Sequence, residues 1–362
     1  MISSPVYNFA AGPGIMPREV LLQAQQELLD WRQSGMSVME MPFTGEEFQT
    51  IMRQARQDLR ELLGVPADYR ILFLQGGASA QFSLLPMNLL PPGATADYVD
   101  TGHWSRKAIE EGSRYARINV AASGADHNYR HVPAQARWQL DPGAGYCHIT
   151  SNETADGLAY HWLPDTGNVP LVADMTSDFL SRPIAIERFG VIYAGAQKNI
   201  GPAGLTIVII RDDLIQPARP ETPSAFSYRV QAESEGRFNT PLTYAVYIAG
   251  LVFRWLKRQG GLGAIAERNR RKSDRLYDAI DGSDVYVCPQ RAADRSRMNA
   301  CFHLADASLT TEFLRQARQQ GLLNLQGHPA VGGLRASLYN AMPDAGVEAL
   351  IAFMQAFAAR HT

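Results

Sequence analysis

Cysteine is scarce. The 362 residues contain three, Cys147, Cys288 and Cys301, an odd number, widely spaced and never paired as C-x-x-C. That pattern gives no disulfide framework and no zinc site, and it suits a reducing compartment, so a cytoplasmic location is expected. Long apolar runs are also lacking: none approaches the roughly 20 residues of a membrane span. The opening "MISSPVYNFAAGPGIMP" has no charged stretch followed by an apolar one, so neither a leader nor an anchor is expected. Charge of one sign is missing as well. Lys and Arg number 34 against 36 Asp and Glu, a net charge of −2, with no basic stripe. Nothing here attracts nucleic acid or an anionic membrane, and a small-molecule ligand is the better expectation. Internal repeats and low-complexity tracts are absent.

What is present is a chain 46% hydrophobic, long enough to bury a large core and divide in two. "PREVLLQAQQELLDW" (17–31) places Val20, Ala24, Leu28 and Trp31 on one helical face, with Pro17 at the first position. "EEFQTIMRQARQDLRELLG" repeats the pattern, with acids in its first turn and Gly64 just past its end. There follow strand-length apolar runs, "RILFLQ", "ADYVD", "RINVA", "YCHIT", "PLVAD", "VIYAG" and "LTIVII", separated by turns or by helical stretches such as "WSRKAIEEGSRYA". Near-continuous apolar strands predict an α/β fold, a mostly parallel sheet covered by helices on both faces. After "TYAVYIAGLVFRWLKRQGG" the pattern changes to a long helix, fewer strands ("MNACFHLA", "GLRASLY") and a terminal helix, which places a boundary near residue 258.

In an open α/β sheet the ligand lies at the carboxyl ends of the strands. The residues just after each run form a coherent set. After "ILFLQ" comes "GGASAQF", where Gly76 and Gly77 let the backbone approach an anion at a helix start. Trp104 follows "ADYVD", Thr154 follows "YCHIT", Asp174 ends "PLVAD", and Gln197 and Lys198 follow "VIYAG". Taken singly, each has an ordinary explanation: a loop lysine in solvent, a turn aspartate, a core tryptophan, a capping threonine. Taken together they meet the requirements of pyridoxal 5′-phosphate. A lysine amine forms the Schiff base, and an aspartate keeps the pyridine nitrogen protonated so that the ring accepts electrons.

The segments "NFAAGP", "SVMEM", "QGGASAQF", "ADYVDTGHWS", "SNETADG", "AGAQKNIGPAGLTIVIIRDDL", "FNTPLTY" and "GHPAVGGLRASLYNAMP" span essentially the whole chain. Through them the sequence resembles the phosphoserine aminotransferase family, class V aminotransferases of fold type I. The resemblance implies a large cofactor domain (17–258) built on a mostly parallel sheet, a smaller α/β domain (259–362) and an N-terminal substrate-pocket segment (1–16). It implies Lys198 as the Schiff-base lysine and Asp174 as the pyridinium partner. Trp104 would stack on the ring, Thr154 would bond its 3′-hydroxyl, and Gly77, Ala78 and Gln197 would hold the phosphate. Asn239 and Thr240 would reach the phosphate of the neighbouring subunit in a homodimer, and Arg335 would grip the substrate α-carboxylate.

The distal pocket departs from the family pattern. "MPFTG" places Phe43 and Thr44 where a His-Arg pair is expected, and "GHP" places Pro329 after His328 where an arginine is expected. Ala10 replaces a serine, and Arg237 stands where a neutral residue is common, either as a solvated surface arginine or as a cation offered to the partner subunit. Three functions are therefore weighed. The expectation is an aminotransferase retuned to a less dianionic amino acid or 2-oxo acid. The alternative is an ordinary phosphoserine:2-oxoglutarate aminotransferase of serine and pyridoxal phosphate biosynthesis, in which Arg237 and His328 receive the anion. The third is a lyase of the desulfurase kind on the same fold. That last would need a reactive cysteine on a mobile loop, whereas all three cysteines sit in or beside apolar runs.

Overall fold

The computed structural model describes residues 5–361, so residues 1–4 of the N-terminal segment and residue 362 of the smaller domain lie outside the described residues. Its centre is a seven-stranded sheet in the spatial order Tyr69–Gln75, Leu205–Arg211, Val191–Gly195, Leu171–Asp174, Cys147–Thr150, Thr95–Asp100, Arg117–Ser123. Each strand falls on one of the seven apolar runs, and Tyr146 and Pro170 lie just outside theirs. Leu205–Arg211 alone is antiparallel to its neighbours, and the rest run parallel. Strands covered on both faces need apolar residues at every position, because successive side chains point to opposite sides. Ile207 and Ile209 accordingly join one hydrophobic cluster while Val208 and Ile210 join another across the sheet.

The helix Glu46–Leu63 forms where its pattern predicts and ends at Gly64, whose φ of 62° is left-handed. It packs in the same core as Thr243–Arg258. The helix expected over 17–31 is shorter, Arg18–Gln26. Trp31 still reaches the core, but through a turn in which Arg32 and Gln33 take positive φ and the Trp31 amide bonds the Met36 carbonyl at 2.9 Å. Burying the indole outweighs continuing the helix, and Leu29 is left 84% exposed.

A three-stranded antiparallel sheet, Tyr286–Val287, Asn299–Leu304 and Leu334–Ser337, forms a separate core with Phe302, Phe313, Phe353 and Phe357. The helices Gly261–Asp281 and Asp344–Ala358 contribute to that core. Phe9 belongs to this second core, and Tyr7–Asn8 pairs in parallel with Leu322–Leu323. A few residues on, the Gly14 amide bonds the Gln197 carbonyl at 2.7 Å. The start of the chain thus runs from the smaller sheet to the strand ends of the larger one. No helix among the described residues is long and apolar enough to cross a membrane.

Candidate active site

Parallel strands deliver their carboxyl ends to one edge of the sheet, and a cavity of about 510 Å³ lies there. Gly77, Ala78, Trp104, Thr154, Asp174, Gln197 and Lys198 all line it. Sequence reasoning missed Thr150, Asn152, Thr176 and Ser177, which also line it. The signal was available: Thr150 ends its strand as Asp174 does, and Thr176 follows two residues later. An outer cavity shares Gly77, Trp104, Thr154, Gln197 and Lys198 and adds His328, Arg335 and Ala11–Pro13 of the N-terminal segment.

Lys198 lies three residues beyond the strand Val191–Gly195 and is buried. Its Nζ donates to Thr154 Oγ1 at 2.5 Å and stands 5.6 Å from the Trp104 ring centroid. Burial lowers its pKa to about 8, with Asp174 opposing the shift. Asp174 is buried too; loss of water raises its pKa, while Thr176, whose amide donates to Oδ1 at 2.8 Å, and then Lys198 hold it down. Behind it, the Tyr193 hydroxyl meets His148 Nε2 at 2.8 Å.

Two buried carboxylates fix the first turn of the helix His103–Gly112. Glu153 accepts the amides of Trp104 at 2.9 Å and Ser105 at 2.8 Å, and Asp156 accepts that of His103 at 2.8 Å. A Cβ on Gly102 would meet Asp156 Oδ2 at 2.5 Å, so this close approach requires glycine. Burial raises both pKa values, and Asp156 adds to the rise at Glu153. Arg335 Nη1 donates to the Thr154 carbonyl at 3.2 Å, placing the guanidinium beside the same loop.

These residues fit the cofactor that the sequence implies. Gly76 and Gly77, at φ 103° and 68°, open the helix Gly77–Leu89, whose first residues line the cavity. Trp104 Nε1, Gln197 Oε1 and Thr150 Oγ1 are buried without a hydrogen-bond partner, a costly state unless a ligand or water pairs with them. A flat indole, a buried carboxylate, an amine with a lowered pKa and a helix start complete the donor set that pyridoxal phosphate needs.

Other expected residues lie elsewhere on this chain. Phe43 packs against the large core, and Thr44 is exposed, its carbonyl accepting from Gln49 Nε2 at 2.6 Å. Arg237 pairs with Glu235 at 3.1 Å, and Pro329 is exposed. Asn239 Oδ1 accepts from Gln231 at 3.3 Å, the Thr240 carbonyl accepts from Gln75 at 2.9 Å, and both residues are exposed. None of the six lines either cavity. Cys147 and Cys301 are buried, and burial raises the pKa of all three thiols, that of Cys301 to about 12, so none is poised as the nucleophile a desulfurase needs.

A lysine, an aspartate and a tryptophan gathered at parallel strand ends define a pyridoxal-phosphate enzyme, and the family model described as aminotransferase class-V matches residues 6–350. Phosphoserine aminotransferase of Pseudomonas aeruginosa (strain LESB58) is 53% identical over 360 residues, covering 99% of this chain and 100% of that protein. Among solved structures, phosphoserine aminotransferase from Bacillus circulans subsp. alkalophilus superposes with a TM-score of 0.97 at 43% identity, covering 99% of each chain. A phosphoserine aminotransferase from Trichomonas vaginalis, described as PLP bound, superposes with a TM-score of 0.93 at 40% identity, covering 97% of this chain and all of that one. The chain belongs to the class-V aminotransferase family, among its phosphoserine aminotransferases, and is a pyridoxal-phosphate-dependent aminotransferase of fold type I.

Proposed function

We propose that the enzyme moves the amino group between 3-phosphoserine and 2-oxoglutarate or their close analogues. The observation that carries this reading is end-to-end identity of 53% to a protein named phosphoserine aminotransferase. The geometry supplies the roles. When bound, pyridoxal phosphate provides an electron sink for the substrate carbanion. Gly77, Ala78 and Gln197 would hold its phosphate, Thr154 its ring hydroxyl, Trp104 its face and Asp174 its ring nitrogen. Lys198 Nζ, with its lowered pKa, is the group able to take and return a proton at the substrate α-carbon. Arg335 would orient the α-carboxylate through its planar fork. Ala11–Pro13 of the N-terminal segment would help close the pocket between the larger and the smaller domain. Asn239 and Thr240, exposed beside the 49% exposed Phe238, would complete the site of a second subunit in a homodimer. The free thiols suit a cytoplasmic location.

A second reading has one observation behind it. Phe43, Thr44 and Pro329, which the family resemblance assigns to the substrate side chain, carry no charge and Arg237 is paired with Glu235, so a distal pocket that these residues complete would suit a side chain that is uncharged or weakly anionic. A panel of single-turnover reactions, adding 3-phosphoserine, glutamate, alanine and aspartate to the holoenzyme and following the cofactor absorbance, separates the two. Fastest discharge by 3-phosphoserine supports the first reading. Discharge by alanine at least tenfold faster than by 3-phosphoserine supports the second, and no discharge by any amino acid refutes both.

A further inference from the structure

Asp174 has neighbours behind the cavity that the functional reading does not use. Tyr193 is its register partner on the adjacent parallel strand Val191–Gly195, so both side chains leave the same face of the sheet. On the other side Asp174 pairs with Thr150, and His148, two residues earlier on that strand, shares the face. His148 and Tyr193 are fully buried, with 2.8 Å between Nε2 and the hydroxyl oxygen. Tyr98 stacks on the His148 ring at 4.6 Å and 22° and fixes its plane. We propose that His148 and Tyr193 are positioning residues: His148 Nε2 donates to the Tyr193 oxygen, which turns the Tyr193 hydroxyl to donate to Asp174, the carboxylate assigned above to the ring nitrogen of the cofactor. The proposal rests on that assignment.

The direction of these hydrogen bonds follows from where protons can sit. Burial holds the His148 pKa down to about 3, so the ring is neutral and carries a single proton. His148 Nδ1 is buried without a hydrogen-bond partner among the described residues. A proton there would be an N–H orphaned in the core, a rarer state than a bare acceptor lone pair. The proton therefore sits on Nε2, and the Tyr193 oxygen accepts it. Tyr193 keeps its own proton, because burial and then the Asp174 charge drive its pKa far above the usual phenol range. With its oxygen already accepting from His148, that O–H points elsewhere, and Asp174 is the acceptor in reach. Burial raises the Asp174 pKa, and hydrogen bonds from Thr176, the charge of Lys198 and a hydrogen bond from Tyr193 oppose the rise. The Thr176 amide takes Oδ1 at 2.8 Å. A carboxylate kept ionised by both donors holds a proton on a ring nitrogen better than one that has lost a donor.

Holoenzyme loaded with pyridoxal phosphate labelled with nitrogen-15 in the ring reports protonation of that nitrogen through its NMR chemical shift. At pH 7.5 the wild type should give the shift of a protonated ring. Tyr193→Phe removes the hydroxyl and keeps the packing, so its signal should move toward the unprotonated value. Its kcat should fall about tenfold, the equivalent of about one pKa unit at the nitrogen, while KM stays within about threefold. His148→Phe keeps a flat ring against Tyr98 but has no donor, and should shift the signal the same way. His148→Gln, whose amide places a donor where Nε2 stands, should restore most of the signal and of kcat. Circular dichroism and retained cofactor check the fold of each variant. An unmoved signal in Tyr193→Phe overturns the relay, and so does a signal in His148→Gln that matches His148→Phe. Asp174→Asn, measured in parallel, keeps the two possible failures apart: a signal unmoved there overturns the role of Asp174 itself, whereas a signal that moves there and not in Tyr193→Phe overturns the relay alone.

Discussion

At the scale of single residues, Lys198 illustrates why burial matters more than residue type. In water its amine would be protonated near pH 7, whereas inside the cavity loss of solvent lowers its pKa to about 8 and Asp174 pulls in the other direction. The free amine fraction therefore grows about tenfold per pH unit up to that value and levels off above it. Capture of pyridoxal phosphate by the apoenzyme, followed by stopped-flow absorbance, should show the same profile, rising to about pH 8 and flat beyond. Asp174→Asn removes the group that raises the lysine pKa, so the inflection should move to lower pH. Lys198→Ala should stay folded by circular dichroism and give no borohydride-reducible absorbance. An inflection unmoved in Asp174→Asn would contradict the coupling.

At the scale of elements, the smaller sheet is tied to the catalytic turn by buried amides and one buried lysine. Lys272, 1% exposed on the helix Gly261–Asp281, donates to the carbonyls of Leu338 at 3.2 Å, Tyr339 at 2.9 Å and Met342 at 3.1 Å. Those carbonyls follow the strand that carries Arg335. Within the same loop, the Asn340 amide donates to Asn199 Oδ1 at 3.0 Å, one residue from Lys198. Lys272→Met keeps the volume and removes the lysine donor from the Leu338 and Met342 carbonyls, while the Tyr339 carbonyl keeps the Met342 amide, which should cost about 2 kcal/mol in urea denaturation. A loss under about 0.5 kcal/mol would mean that water takes over those carbonyls.

At the scale of the whole molecule, a single chain leaves Asn239, Thr240, Phe43 and Thr44 away from the cavity. If the first two complete a neighbour's site, each active site draws on two chains. Lys198→Ala dimers and Asn239/Thr240 double-alanine dimers should each be impaired. Mixed dimers formed from the two should regain about half of wild-type activity, because one of their two sites is intact. Absence of any regained activity in mixed dimers isolated by orthogonal tags would place Asn239 and Thr240 outside the site.

The sequence by itself determined the seven central strands, because strands buried on both faces are apolar without interruption and turn residues bound each run at strand length; the edge strand Arg117–Ser123, half-exposed, was legible from its length and flanking turns. It also singled out Gly77, Ala78, Trp104, Thr154, Asp174, Gln197 and Lys198, which line one cavity because the parallel topology brings strand ends together. The length of the first helix and the reversed direction of Leu205–Arg211 were decided by tertiary structure. A helical face reads the same whether the chain continues or turns to bury Trp31, and an apolar run carries no sign of its direction. The pairing of His103 with His328 belongs to the same class: 225 positions apart, they meet only because the first turn after one strand and the loop before another converge. Local sequence determines what each side chain can do, and packing between distant segments determines which of them face each other.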